Sequence, residues 1–342
     1  MTYSFNSIFI KFINKGYLGV DLFFELSGFV IALNYFAMFD KRFSLVSYGK
    51  FLGIRLARIY PLHAFMMFAF VLNPIAINLF SKQHYSNNSY RLPYFLMSLC
   101  LIQNWGFVDQ LDWNVPSWSI STEWFAYLVF PAISVAASKF GRTMINSVIM
   151  IFLLLVILAI CGAFFGGLGG DIPHFGIVRC VLEFAAGVLL FRVWLLHRAT
   201  SGVPGELTIC LSATIFIMYW WLQPDDFLIV PIGFLFIVFS LSDMDGLLSR
   251  ALSARPLEWI GLISYSTYLL HFFVRDWVKF IMVKQGADQA LPTFAYLAVT
   301  MIGSVLLYHL IEMPGRKSLR SWVEHVSRAG SSAQAGRSSM RR

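Results

Sequence analysis

Charged side chains are scarce in this chain of 342 residues, because Asp, Glu, Lys and Arg together make up only 13% of it. Soluble globular proteins carry about a quarter of their residues as charged side chains, so the composition excludes an ordinary water-soluble enzyme and a disordered regulatory protein. Cysteine is also scarce, and the four cysteines form no CxxC pair. This pattern excludes a dense disulfide framework and a zinc-binding motif, and we expect no metal site.

Apolar residues, by contrast, make up 58% of the sequence and include 34 Phe, and the mean hydropathy is +0.68. A helix needs about 20 mostly apolar residues to cross ~30 Å of hydrocarbon. Nine runs predict such helices, near 17–38, 59–80, 119–138, 144–166, 177–196, 206–222, 227–241, 260–282 and 292–312. The sequence therefore predicts an all-α, polytopic membrane bundle of about nine spans.

The predicted bundle forms one domain, 1–315, and a basic tail at 316–342 is expected to be mostly disordered. A tenth apolar run, 92–105, has about 14 residues, which favours an interfacial or re-entrant segment over a span. With that run left out, 17 of the 26 Lys and Arg fall in the loops of one side and five in those of the other. Because cytoplasmic loops carry the excess of basic residues, we expect the C-terminus in the cytoplasm.

Ionisable side chains at membrane depth are costly and by default indicate a functional site. Asp21 and Glu25 lie four residues apart in the first predicted span, hence on one helical face. A polar packing seam between helices is the alternative explanation for both. Glu123 lies near the start of the third span, where it either lines an outward-facing cavity or stabilises the N-terminal helix dipole.

Arg55 and Arg58 lie three residues apart just before the second predicted span. On a helix this spacing presents two guanidinium groups to one side, which suits a phosphorylated ligand at the cytoplasmic surface. Simple anchoring by the positive-inside rule explains the two arginines equally well. The overall net charge of +8 is interpreted in the same way, as orientation in the membrane and not as a nucleic-acid footprint.

Four blocks of sequence resemble the acyltransferase family 3 membrane proteins, which O-acylate bacterial surface polysaccharides. The blocks are GVDLFFELSGFVI (19–31), RLARIYP (55–61), WSISTEWFAYLVFP (118–131), and ISYSTYLLH (263–271) together with IEMP (311–314). They occur in the family's order over about residues 16–315. Each block alone is a weak signal, and the four together are a strong one.

The resemblance implies a ten-helix bundle in the inner (plasma) membrane that transfers an acyl group, most simply acetyl, to a sugar hydroxyl of an exported polysaccharide. The donor would be cytoplasmic acyl-CoA, a substrate and not a permanently bound cofactor, and membrane lipid surrounds the chain. The resemblance also implies residue roles. Arg55 and Arg58 would hold the CoA phosphates, Glu123 and Asp21 would support catalysis, and the substrate would be contacted by Ser27, Gly28, Trp118, Ser119 and His271.

One departure from the family concerns the N-terminus. The family's first helix carries a basic residue and, about eleven positions later, a His that is the expected general base or acyl relay. Only fifteen residues precede Gly16, they contain no His or Arg, and nine predicted spans are one fewer than ten. We therefore expect the chain as written to lack that helix and to be inactive or strongly impaired.

Two other function classes stay open at the level of sequence. The first is a transporter, in which ionisable residues would form a relay at membrane depth; the candidates are Asp21, Glu25, Glu123, Arg179, Glu183 and His271. The second is a non-catalytic remnant that binds acyl-CoA or a glycan carrier. Uptake without acyl-CoA would favour the transporter, and binding without transfer would favour the remnant.

Overall fold

The structure is a computed structural model, and it describes residues 14–40, 43–80, 90–198, 205–242, 247–282 and 290–339. Every regular element within these ranges is helical, which confirms the predicted all-α class. In chain order the helices are α1 (Gly19–Phe39), α2 (Leu45–Phe70), α3 (Leu72–Phe80), α4 (Leu92–Leu99), α5 (Trp118–Phe140), α6 (Met144–Phe165), α7 (Ile172–His197), α8 (Gly205–Leu222), α9 (Asp226–Leu241), α10 (Leu247–Leu252), α11 (Arg255–Met282), α12 (Ala290–Leu307) and α13 (Met313–Ser339).

Five helical segments of the described chain are long and apolar enough to cross a membrane: Gly16–Phe39, Leu45–Phe80, Val115–Phe140, Met144–Phe165 and Ala290–Ser327. Helix α6 shows the membrane character most directly, since Phe152, Ile160 and Phe164 are 63%, 65% and 83% exposed. Contiguous apolar surface of this kind is what a lipid-facing helix presents. The exact number of spans stays a prediction, as does the departure at the N-terminus, because residues 1–13 lie outside the described ranges.

The chain divides into two compact units, Met1–Arg42 with Leu128–Ser253, and Phe43–Tyr127 with Ala254–Arg342. In the first unit, α1 packs closely on α7. Phe36 meets Phe191 towards one end of this pair and Asp21 meets Arg179 towards the other, so the contacts advance in the same direction along both helices. Helices α1 and α7 are therefore parallel, which agrees with three predicted crossings between them and with leaving 92–105 out of the spans.

Two glycines allow α1 and α7 to approach backbone to backbone. A Cβ at Gly28 would lie 2.0 Å from the carbonyl oxygen of Phe184, and a Cβ at Gly187 would lie 2.1 Å from that of Glu25. Real Cβ atoms do not come this close to a carbonyl oxygen, so any larger residue must push the helices apart. Small residues at such crossings are the usual means of close helix packing in membranes.

Substitution of Gly28 by alanine should lower the free energy of unfolding by about 1–3 kcal/mol, because the added methyl group must separate two backbones. Gly49 in α2 is a matched control, since nothing lies within 4 Å of a Cβ at that position. The Gly49→Ala change should be neutral or stabilising by up to about 1 kcal/mol. Titration of the purified protein with SDS in mixed micelles measures the stability of both variants. Equal unfolding midpoints for the two variants would contradict the close approach of α1 and α7.

Helix α4 belongs to the second unit and accounts for the tenth apolar run. Its eight residues extend about 12 Å at 1.5 Å per residue, which is too short for a span, so the prediction for 92–105 is confirmed. The irregular segment that follows is fastened by Asp112. Its carboxylate accepts hydrogen bonds from the backbone N–H groups of Tyr90, Arg91 and Trp113 at 2.6–2.8 Å.

The C-terminal region differs from the sequence prediction. The sequence predicts that the last span ends near residue 312 and that a mostly disordered tail begins at residue 316, whereas the structure continues through a π turn, Tyr308–Glu312, into α13. In this turn the N–H of Met313 donates to the carbonyl of Tyr308, five residues back. Pro314 then lies in the first turn of α13, where its missing N–H costs little.

Helix α13 packs against α2 between Gly315 and Val323. A Cβ at Gly53 would lie 2.8 Å from a methyl group of Val323, and a Cβ at Gly315 would lie 2.6 Å from Cβ of Pro61. The two contacts run in opposite directions along the chain, so α13 is antiparallel to α2. Tertiary packing of this kind stabilises a helix that intrinsic propensity alone does not.

Candidate functional site

The first unit contains a buried ion pair between α1 and α7. The Arg179 guanidinium donates from Nε to Asp21 Oδ1 at 2.7 Å, and its Nη2 lies 2.6 Å from Asp21 Oδ2. Both side chains are at most 1% exposed, and Arg179 Nη1 also donates to the carbonyl oxygen of Leu168 at 2.6 Å. One charge-assisted hydrogen bond and a second close N···O contact thus join the two side chains.

Two further carboxyl groups, those of Glu25 and Glu183, lie buried on the same pair of helices. Glu183 Oε1 is 3.7 Å from Arg179 Nε, and neither carboxylate oxygen of Glu25 has a hydrogen-bond partner among the described residues. Two carboxyl groups, those of Asp21 and Glu183, therefore lie against the Arg179 guanidinium, and Glu25 is an electrostatic neighbour of Asp21. Asp21 is thus part of a polar seam between helices, the alternative that the sequence leaves open.

The predicted substrate residues of α1 are placed differently from one another. Gly28 is buried against the backbone of Phe184, so helix packing accounts for this glycine without a substrate contact. Ser27, the residue before Gly28, is half-buried. Their roles towards a substrate stay predictions.

The second unit brings residues of three sequence blocks together around Tyr265 of α11. The Tyr265 hydroxyl donates to the carbonyl oxygen of Ile59 in α2 at 2.6 Å. Its electrostatic neighbours are Glu123 of α5, Glu312 of the π turn and Arg58 of α2. We call Arg58, Glu123, Tyr265 and Glu312 the Tyr265 cluster; it combines a cation, two carboxyl groups and a hydroxyl.

Glu123 is the predicted catalytic residue that lies in this cluster, and 4% of its surface is exposed. The Tyr127 hydroxyl, one helical turn further along α5, donates a hydrogen bond to Glu123 Oε1. Because α5 begins at Trp118, Glu123 lies in its second turn, beyond the reach of a helix-end dipole. The geometry therefore favours a carboxylate that is oriented by a side chain over one that caps the helix.

Glu312 is a site residue that the sequence indicates only as part of the IEMP block. It is 2% exposed, and Ser266 Oγ donates to its Oε2 at 2.6 Å. It ends the π turn Tyr308–Glu312, and such turns occur frequently at functional sites. No sequence signal marks a π turn, so the contact between Glu312 and Ser266 could not be predicted.

Two of the predicted substrate residues, Ser119 and His271, contact Tyr268. Ser119 Oγ is 2.8 Å from the Tyr268 hydroxyl, and Trp118 is buried. His271 Nδ1 is 2.6 Å from the carbonyl oxygen of Tyr268. Since a carbonyl oxygen only accepts, Nδ1 carries the proton and Nε2 of His271 is the acceptor nitrogen. This arrangement offers several hydrogen-bonding groups.

A cavity of about 420 Å³ lies between the first two turns of α3 and the C-terminal end of α11. Trp277 Nε1 donates to Asn73 Oδ1 at 2.9 Å, and Asn73 Nδ2 donates to the Tyr90 hydroxyl at 3.2 Å. Asp276 and Lys279 also line the cavity. Aromatic rings beside amide, carboxylate and ammonium groups are a suitable lining for a polar ring-shaped ligand.

Comparison with known proteins gives a match over nearly the whole chain. The Acyl_transf_3 family, described as an acyltransferase domain, matches residues 2–309. YrhL of Bacillus subtilis, which bears the name of a peptidoglycan O-acetyltransferase, is 25% identical over 95% of this chain and 54% of its own length. The O-acetyltransferase OatA of Staphylococcus aureus is 23% identical over 90% of this chain and 54% of its own length.

The chain thus spans about half the length of the curated relatives it matches. No solved structure matches it.

Proposed function

This chain belongs to the Acyl_transf_3 family of acyltransferase domains, and from that membership we propose that it is a membrane O-acetyltransferase. The acceptor would be a hydroxyl group of peptidoglycan or of another cell-surface polysaccharide, in line with the names of YrhL and OatA. The donor would be acetyl-CoA from the cytoplasm. The observation that supports this function best is the Tyr265 cluster, in which three of the family-like sequence blocks meet.

The proposed reaction is transfer of an acetyl group from a thioester to an alcohol. The acceptor oxygen attacks the carbonyl carbon of acetyl-CoA, a C–O bond forms, the C–S bond breaks, and the hydroxyl proton ends on the CoA thiol. Catalysis requires a group that holds the acceptor hydroxyl and donors that stabilise the developing oxyanion. We assign the role of holding the acceptor hydroxyl to Glu123, which the Tyr127 hydroxyl orients. The Tyr265 side chain is an electrostatic neighbour of Glu123.

The acceptor and donor sides follow from the predicted topology. The cavity lined by Trp277 and Asn73 would face outwards and contact the sugar, whereas Arg55 and Arg58 would face the cytoplasm and bind the CoA phosphates. Asp21 would act at a distance, by holding α1 against α7 through Arg179. In this proposal its part in catalysis is structural support.

Transfer of label from [¹⁴C]acetyl-CoA to a peptidoglycan fragment, by the protein expressed from its complete gene in proteoliposomes, tests the function. We expect Arg55→Ala with Arg58→Ala to raise the KM for acetyl-CoA at least tenfold, because each charge-assisted hydrogen bond contributes about 1.5–3 kcal/mol. Lys50→Ala is the matched control, since Lys50 is an exposed cation on the same helix, and its KM should change less than twofold.

Three outcomes would contradict the proposal. Absence of transfer, while a relative is active under the same conditions, would remove the enzymatic function. Solute uptake without acetyl-CoA would favour the transporter, for which the Asp21, Glu25, Arg179 and Glu183 group would then be the relay. Binding of acetyl-CoA without transfer would favour a non-catalytic remnant.

A further inference from the structure

The antiparallel contact of α2 with α13 places two arginine pairs side by side. The helices touch where Gly53 meets Val323 and again where Gly315 meets Pro61. Between these two points α2 carries one pair of arginines and α13 carries another. The four residues are Arg55, Arg58, Arg316 and Arg320, and we call them the arginine surface.

Spacing and charge both show that the arginine surface is continuous. The α2 pair is spaced by three residues and the α13 pair by four, so each pair lies on one side of its helix. The electrostatic neighbours of Arg316 include Arg55, Arg58 and Arg320. Arg58, Arg316 and Arg320 are exposed and Arg55 is half-buried, so the guanidinium groups are accessible.

Carboxylates also lie beside these four cations. Glu324 pairs with Arg320 at 2.9 Å, and Glu312 is buried and accepts a hydrogen bond from Ser266. Guanidinium groups that lie this near one another repel, and the repulsion is relieved when a multiply charged anion binds. Guanidinium forks match phosphate oxygens in geometry, and each fork can donate two parallel hydrogen bonds.

We infer that Arg316 and Arg320 complete the binding surface for the phosphate groups of the acyl-CoA donor. This inference depends on the proposed function, which assigns only Arg55 and Arg58 to the donor. CoA carries a diphosphate and a 3′-phosphate, more anionic oxygens than one arginine pair can contact. The family match ends at residue 309, so the α13 pair lies beyond the segment that defines the family.

Anionic lipid offers the same phosphate chemistry and is the competing source of the ligand. Trp322 and Val326 of α13 are 63% and 50% exposed, as expected for a helix that touches the membrane surface. The soluble donor is favoured because α2 contributes half of the surface, so the cations converge from two helices. A test must therefore separate the CoA phosphates from lipid headgroups.

Acetyl-CoA binding to the complete protein in nanodiscs makes this separation. We expect Arg316→Ala with Arg320→Ala to raise the Kd for acetyl-CoA at least tenfold in discs of pure phosphatidylcholine. The affinity for S-acetylpantetheine, which lacks every phosphate, should stay within twofold. Lys317→Ala is the matched control, because Lys317 is an exposed cation of α13 that lies about 100° around the helix from Arg316; its Kd should not change.

Further variants and measurements distinguish loss of donor binding from loss of folding or of lipid binding. The Arg316→Lys with Arg320→Lys variant should recover part of the affinity, and an unchanged thermal midpoint shows that the alanine variants are folded. Normal binding by the α13 variant beside weak binding by Arg55→Ala with Arg58→Ala would overturn the inference and leave the proposed function intact. Normal binding by both pairs of variants would remove the donor site of the proposed function as well. An effect only on retention of phosphatidylglycerol would assign the surface to lipid.

Discussion

Replacement of Arg179 by methionine should lower the free energy of unfolding by about 3–5 kcal/mol, the cost of breaking a buried ion pair by removing one partner. The guanidinium contacts both Asp21 and Glu183, so its loss leaves two buried carboxyl groups without this cation. Its loss also leaves the carbonyl oxygen of Leu168 without that donor. SDS titration of the purified protein in mixed micelles measures the change.

Arg198→Met is the control for this prediction. Arg198 follows α7 and stacks on the Trp194 ring at 4.8 Å, and an exposed contact of this kind contributes about 0.5–1 kcal/mol. Asp21→Asn in the Arg179→Met background should recover part of the loss, because it removes a buried charge that has lost its partner. Equal costs for Arg179→Met and Arg198→Met would show that the ion pair does not hold α1 to α7.

The helices themselves could be predicted from sequence because lipid imposes a length on apolar runs. The run predicted at 144–166 is the helix Met144–Phe165, and the short run at 92–105 contains only the eight-residue helix Leu92–Leu99. Chain order, charge and length were sufficient for these elements.

The C-terminal helix could not be predicted in the same way. It is rich in Ser, Gly, Ala and Arg, a composition typical of a disordered tail. Its first turn also contains Pro314, and proline commonly ends a helix. What stabilises α13 is contact with Gly53 and Pro61 of α2, more than 250 residues earlier in the chain. The local sequence of α13 does not identify such a distant packing partner.

In the candidate site, sequence could identify some of the residues but not the residues that they contact. Asp21 and Glu123 could be selected from sequence because a charged side chain at membrane depth is costly and indicates a functional site, and Arg58 could be selected because of its spacing from Arg55. Their partners could not be selected, since periodicity gives the face of a helix but not the helix that it meets. Arg179 lies 158 residues from Asp21, and Tyr265 lies 206 residues from Ile59.

The Glu123→Gln variant should lose acetyl transfer by a factor of about 10²–10⁴, the usual contribution of a group that handles the proton in the transition state. Glutamine has nearly the same shape as glutamate and its carbonyl oxygen can still accept the hydrogen bond from Tyr127. The change therefore removes the negative charge and leaves the packing in place. Since Arg58 and the other donor cations are untouched, kcat should fall while the KM for acetyl-CoA stays within about threefold.

Glu258→Gln provides the comparison for that variant, because Glu258 is an exposed carboxylate in the first turn of α11, and its rate should match the unmodified protein. Initial rates of label transfer to a peptidoglycan fragment, measured on the complete protein, give both kinetic constants, and thermal midpoints verify folding. If Glu123→Gln kept the full rate with a normal midpoint, Glu123 would have no charge-dependent role, and the Tyr265 cluster would be an arrangement that packs helices. A fall in kcat with an unchanged midpoint would instead show that the buried carboxylate acts on the acceptor hydroxyl, because stability and donor binding would both have been separated from the chemical step.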